Sequence, residues 1–346
     1  MKISRRAAAA ALAVSLPLST VTVSQPAGAQ PAEVQAQYAA RQDIEKMLQR
    51  FMPVLTPEVV AGLSLLALVI AGLIIAPVAE AMGSSFVPSF GDVDGEDLRG
   101  GKQYKRGLPD GRTYNVILPE GYEHGKTYPV IIGFGGWQHT AEQARGYQRL
   151  EDNTRDTIVV YAQGEDNAWG GAPYASASLN SDISYVRNVI NDVASKYGGD
   201  RNRVAAVGLS NGGGMAAALA CHAPDTVKAV ATVAGAFYNP TVTGCAPGAV
   251  PTLIIHGTAD DIVSYYGGTR HGAPYQSVNQ VFDTFRTKNG CGYTVSDTGS
   301  WKVTTTTAQR CNAETVLQTV HGGGHTWFPS APVASEETTK FLSRHL

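Results

Sequence analysis

The sequence predicts an α/β fold, a mostly parallel central sheet flanked by helices, over residues 102–346. Three observations predict it. Short β-rich runs recur along this stretch, and several are continuously apolar, as in strands buried on both faces of a parallel sheet. Segments with helical spacing stand between them, and that alternation is the signature of an α/β layered fold. The chain also holds 38 Gly and 18 Pro, which suits many turns and excludes a coiled coil.

The expected strands are 114–118, 130–134, 157–161, 204–207, 227–233, 252–255 and 315–320. Among the expected helices, 181–197 repeats Ile183, Val186, Val189, Ile190, Val193 and Tyr197 at helical spacing, with Ser181 as its N-cap. Residues 212–221 read as a small-residue helix and 276–288 as an amphipathic one. A last helix, 335–345, places Glu336 and Glu337 near its positive end.

Composition narrows the function classes. With 27 basic and 29 acidic residues the formal net charge is −2, and a nucleic-acid binder would normally show a basic excess. Apolar residues make up 43% and charged residues 16%, which excludes wholesale disorder.

The N-terminal part concerns address. Lys2, Arg5 and Arg6 precede an apolar run and then Ala27-Gly28-Ala29, the order of a cleaved export signal over residues 1–29. A polar segment, 30–58, follows. Residues 59–78 carry no charge and have the length of a membrane-type helix. Arg41, Lys46 and Arg50 lie before it and Asp92, Asp94, Glu96 and Asp97 after it, so the positive-inside bias puts the C-terminal bulk outside. The run also reads as a second signal, since Ala79-Glu80-Ala81 resembles a cleavage site, or as a small-residue helix packed in an envelope assembly. Residues 79–101 read as a linker. The expected location is extracellular or in the cell envelope, with membrane tethering as an option.

Three segments carry chemistry. Gly208-Leu209-Ser210-Asn211-Gly212 fits G-x-S-x-G between a strand and a helix, a turn that exposes a serine nucleophile while its glycines let backbone pack close. Thr252-Leu-Ile-Ile-His256-Gly-Thr-Ala-Asp260-Asp261 ends an apolar strand in a polar turn. An acid there would orient a histidine, and Asp260 and Asp261 compete for the role. His321-Gly-Gly-Gly-His325 follows the last strand, and His325 completes a Ser, Asp, His order along the chain. The spacing of His321 and His325 suits a metal pair only on a helix, which three glycines disfavour. His256 reads as a structural hydrogen-bonding residue. The other histidines, His139 among them, read as solvated surface. The strand ending at Phe134 runs into Gly135, Gly136 and Trp137, whose backbone N–H groups, with that of Asn211, suit an oxyanion hole.

These motifs resemble the secreted α/β-hydrolase esterases grouped with polyhydroxybutyrate depolymerases, feruloyl esterases and acetylxylan esterases. The likeness spans about 113–329 and rests on Gly-Leu-Ser-Asn-Gly-Gly at 208–213, His-Gly-Thr-Ala-Asp at 256–260 and Gly-Gly-Gly-His-Thr-Trp at 322–327. The resemblance implies Ser210 as nucleophile, Asp260 as orienting acid and His325 as general base. It implies no cofactor and no metal. Phe134 stands where the family usually has a histidine in the early loop, and Phe328 where it has a proline. Trp137, Tyr161, Trp169 and Trp327 are the aromatic candidates for a substrate cleft. The family often bridges the pair that corresponds to Cys291 and Cys311, which leaves Cys221 with Cys245, although four cysteines allow three connectivities.

The expected function is an exported serine carboxylic-ester hydrolase working through an acyl-enzyme. Its substrate would be a polyester, a hydroxycinnamoyl or acetyl polysaccharide ester, or an envelope lipid. Two other readings compete: an envelope acyltransferase with the same triad, and a non-catalytic, membrane-anchored binding protein on a hydrolase scaffold.

Overall fold

A computed structural model describes residues 98–346 of the chain. The expected signal at 1–29, the polar segment at 30–58, the apolar run at 59–78 and residues 79–97 of the linker lie outside the described residues. Among the described residues no helix is long and apolar enough to cross a membrane.

Strands β1 (Gln103–Gly107), β2 (Thr113–Ile117) and β3 (Tyr128–Phe134) open the domain, followed by helix α1 (Ala141–Gln148) and strand β4 (Ile158–Ala162). Helix α2 (Leu179–Tyr197), strand β5 (Gly199–Leu209), helix α3 (Asn211–His222) and strand β6 (Ala229–Val233) form its middle. A helical turn α4 (Asn239–Val242), strand β7 (Thr252–Gly257), a small hairpin of β8 (Gly268–Arg270) and β9 (Ala273–Tyr275), and helix α5 (Val278–Lys288) come next. Strands β10 (Thr294–Ser300), β11 (Val303–Ala308) and β12 (Thr315–Val320) and helix α6 (Ala334–Ser343) complete it.

The main sheet has ten strands in the order β1-β2-β4-β3-β5-β6-β7-β12-β11-β10. Strands β4, β3, β5, β6, β7 and β12 run parallel, and antiparallel strands extend both edges. The chain steps outward from β3 to β4, then crosses back to lay β5 on the other side of β3. That reversal makes a topological switch point between β3 and β5, where a crevice opens at the carboxyl ends of the strands.

Side-chain alternation sends Val130, Ile132 and Phe134 to one face of the sheet, where α2, α3 and α5 cover them, and Ile131 to the other, under α1 and α6. Both faces are buried, which is why the central strands read as unbroken apolar runs. Helix α2 begins two residues earlier than its apolar pattern suggests: Ser178, not Ser181, is the N-cap, and its side chain accepts the Ser181 N–H at 3.1 Å.

Cys221 at the end of α3 is bonded to Cys245, and Cys291 after α5 to Cys311 before β12. They close loops with sequence separations of 24 and 20 residues. A loop of that size contributes about 3 kcal/mol through restriction of the unfolded chain. Replacing Cys221 and Cys245 together with alanine is therefore expected to lower the unfolding free energy by about that amount, read from urea denaturation under oxidising conditions.

Candidate active site

The site is built on the carboxyl ends of β3, β5, β7 and β12. Strand β5 ends at Leu209, and Ser210 turns the chain into α3 with φ 55° and ψ −118°. The Ser210 N–H donates to the Val233 carbonyl at 3.0 Å, and its own carbonyl accepts from Gly214 at 3.0 Å and Ala236 at 2.8 Å. The neighbouring glycines are required by space. A Cβ on Gly208 would lie 2.1 Å from the Gly212 carbonyl oxygen, and one on Gly212 would lie 2.4 Å from that of Phe134. The helix can thus press against the loop that follows β3.

Asp260 lies in the loop after β7, its side chain buried. Its Oδ1 accepts the backbone N–H groups of Ile262 at 3.0 Å and Val263 at 2.8 Å. Its Oδ2 lies 2.8 Å from Nδ1 of His325 and 3.2 Å from Nε2 of His256. Burial alone would push the Asp260 carboxyl up, but the hydrogen bonds from His256, His325 and the Val263 N–H outweigh it and hold the group far below the usual carboxylate range. Asp261, the competing acid, has an exposed side chain. His325 comes from the loop after β12, which is laced to the acid loop. Ala259 N–H donates to the Gly323 carbonyl at 2.9 Å, and Gly322 N–H to the Thr258 hydroxyl at 2.9 Å.

The loop after β3 completes the arrangement. A Cβ built on Gly136 would lie 3.6 Å from Cβ of Ser210 and 3.1 Å from Nδ1 of His139. His139 therefore sits beside the serine, which corrects its reading as solvated surface. Gln138, at φ 65°, folds the chain back and brings it there. The Gly136 N–H donates to the Tyr147 hydroxyl at 3.2 Å, and that hydroxyl lies 3.3 Å from Nδ1 of His139. Burial pushes the Tyr147 phenol up to about 12, and burial with the nearby His325 pushes His139 down.

Comparison with known proteins identifies the family. The family model Esterase, described as "Putative esterase", matches residues 106–332. The chain belongs to that esterase family. It is similar to feruloyl esterase D of Neurospora crassa, 28% identical over 281 residues covering 74% of this chain and 90% of that protein. It is also similar to feruloyl esterase B of Piromyces equi, 29% identical over 231 residues, 61% of this chain and 42% of that protein. An acetyl xylan esterase from Aspergillus awamori shares the fold at a TM-score of 0.51 and 15% identity, covering 70% of this chain and 99% of that structure. The fold is that of the α/β-hydrolase esterases, and the chain is a carboxylic ester hydrolase.

Several aromatic expectations need correction in this esterase. Tyr161 is fully buried in β4, its hydroxyl donating to Glu151 at 2.6 Å and accepting the Leu150 N–H at 2.9 Å. Trp169 is 2% exposed and Trp327 6%, so none of these three lines an open cleft. Trp169 instead holds the site together. Its backbone N–H and C=O bond the Asn211 side-chain amide at 2.7 and 3.1 Å, and its indole N–H donates to the Gly135 carbonyl at 3.0 Å. Trp327 donates to the Ser335 hydroxyl at 2.9 Å.

Trp137 alone of the four is half-exposed. It stacks on Tyr174 with ring centroids 4.4 Å apart, and His271 meets both rings edge-on at 5.0 Å. Tyr174 lies in the loop before α2 and His271 at the turn of the β8–β9 hairpin. Tyr174 stands in a loop without periodicity to mark it, and His271, read from the sequence as solvated surface, is exposed. The Gly136 N–H, expected among the oxyanion donors with those of Gly135, Trp137 and Asn211, is committed to the Tyr147 hydroxyl.

The folded Asp260 is held below its unfolded value of about 3.9. Its contribution to stability is therefore fully present above about pH 4 and is lost as pH falls toward the folded value. Asp260→Asn is expected to flatten the decline of unfolding free energy below about pH 4, measured by urea denaturation at a series of pH values.

Proposed function

We propose that the chain is an exported serine esterase in which Ser210 attacks the ester carbonyl, His325 takes its proton and Asp260 fixes the imidazole. The observation that carries this reading is the 2.8 Å contact of His325 Nδ1 with the buried Asp260 carboxylate, on loops that flank the strained Ser210 turn. With Nδ1–H donating to the carboxylate, Nε2 is left free as the base. The alcohol departs with the proton from His325. Water, activated by the same ring, then hydrolyses the acyl-enzyme. The backbone N–H groups of Asn211, at the first turn of α3, and Trp137 stabilise the oxyanion, aided by the positive end of the helix.

The substrate class follows from the rim. Trp137 extends directly from the oxyanion loop, and Tyr174 and His271 widen it into an aromatic wall. A planar acyl group stacks well on such a wall, and two of the similar proteins are feruloyl esterases. The proposed substrate is a hydroxycinnamoyl ester, with acetyl esters accepted more weakly. Export is supported by the basic, apolar and small-residue order of residues 1–29 and by two disulfides, which persist in oxidising compartments.

An ester panel run beside Ser210→Ala tests the mechanism. The variant is expected to lose at least about 10³-fold in kcat on every ester, and a fluorophosphonate probe is expected to label Ser210 in the folded wild type. Trp137→Ala is expected to lower kcat/KM for feruloyl over acetyl esters by roughly tenfold. Activity retained in Ser210→Ala would refute the mechanism, and an unchanged feruloyl preference in Trp137→Ala would refute the substrate class.

A further inference from the structure

His256 stands where the sheet calls for an apolar side chain. It lies on β7 two residues after Ile254, so it points to the same face, and it is fully buried there. Its ring faces Phe237 at 6.2 Å and Tyr265 at 6.0 Å between centroids. A buried imidazole without partners would be unfavourable, so its hydrogen bonds define its role.

Those hydrogen bonds also define its protonation. Nε2 lies 2.9 Å from the Val263 carbonyl oxygen and 3.2 Å from Asp260 Oδ2. Both are acceptors, so Nε2 carries the proton. Nδ1 has no partner among the described residues. A second proton there would leave a buried N–H unpaired and a charge buried, so the ring is neutral. Asp260 Oδ2 is consequently approached by two imidazole N–H groups, that of His325 at 2.8 Å and that of His256, which is also bonded to the Val263 carbonyl, at 3.2 Å.

We propose that His256 is a positioning residue of the active site, a neutral donor that draws charge from the oxygen shared with His325 and thereby sets how strongly that ring holds its catalytic proton. The inference rests on the Ser210–His325–Asp260 reading above. A carboxylate oxygen with one fewer donor carries more of its negative charge toward His325 and favours the imidazolium. Loss of the His256 donor should therefore make His325 more basic. The other titratable groups facing this pair are His139, across the cleft from His325, and Tyr265 against the His256 ring, its hydroxyl bonded to Thr319 at 2.9 Å. Neither touches the shared oxygen.

The test uses the full disulfide-bonded chain, with kcat and KM for p-nitrophenyl acetate followed from about pH 5 to pH 9. His256→Phe keeps the ring shape and removes the donor. His256→Gln places an amide N–H near the position of Nε2. For His256→Phe we expect the acid limb of kcat/KM to move up by about 0.5–1 pH unit. Its kcat should fall about tenfold or more, with KM changed less than about twofold. His256→Gln should return the limb to within about 0.2 units of wild type.

Rates are normalised to the fraction of Ser210 labelled by a fluorophosphonate, so that loss of folded protein does not count as loss of activity. If His256→Phe does not fold, His256→Asn, whose amide is too short to reach Oδ2, takes its place. An acid limb that stays at the wild-type pH in the labelled donor-less variant, or that moves equally with glutamine at 256, would overturn the proposal. Failure of wild-type Ser210 to label would instead sink the underlying mechanism.

Discussion

The backbone of Ser210 is the constraint on which the rest of the site depends. A non-glycine residue at φ 55° and ψ −118° lies in a sparsely populated region that costs on the order of 1–3 kcal/mol and persists only when its surroundings over-determine it. Here Val233, Gly214 and Ala236 all bond its peptide groups. Those partners come from the next strand, β6, from the loop that follows it and from the start of α3. The glycines at 208 and 212 then remove the side chains that would hold helix, strand and loop apart. Because β5 adjoins β3 at the switch point of the sheet, the same close approach sets the serine beside the loop after β3. Sheet order and glycine spacing act as one condition.

A second unit is organised around the Asp260 carboxylate. Strands β7 and β12 are parallel neighbours, and their outgoing loops are stitched by the Thr258, Ala259 and Gly322 amides. A Cβ on Gly257 would lie 2.1 Å from the Gly323 carbonyl oxygen, so glycine is needed there for the two loops to meet. The acid and histidine thus arrive as a pre-assembled pair, and the carboxylate accepts three N–H groups, with His256 Nε2 a further neighbour at 3.2 Å, that fix its plane as well as its charge. Charge and orientation come from the same bonds. Strand β6 alone separates this pair from the serine strand.

The sequence made the central strands readable because burial on both faces erases polar alternation, as in β3 and β7. The edges were harder. Strand β1 and the threonine-rich β11 are only half-buried and the described residues of β10 are exposed, so they lack the apolar signal on which strand recognition rests. Helix α1 is short and mostly polar, although its capping box of Thr140 and Gln143 was a usable mark of its start. The Ser210 turn was legible because its close packing demands glycine at fixed positions. His139 was not, since only the left-handed turn at Gln138 returns it to the serine. Tyr161 and Trp169 were placed in the cleft by resemblance, whereas their hydrogen-bonding edges are consumed inside the fold.

Trp169 shows why burial and function need not be opposed. Its peptide group clasps the amide of Asn211, and its indole clasps the carbonyl of Gly135. Asn211 begins the helix after the serine, and Gly135 begins the loop after β3. The backbone groups proposed to meet the developing oxyanion therefore belong to two segments held in register by one residue. Hydrogen bonds that must stabilise a charge appearing only in the transition state are effective when their donors need no reorganisation. A buried tryptophan, bonded through its peptide group on one side and its indole on the other, supplies that rigidity. The residues proposed to touch the substrate, Trp137, Tyr174 and His271, come from three separate loops. Such segments can change without disturbing the strand ends, so selectivity and chemistry are carried by different parts of the chain.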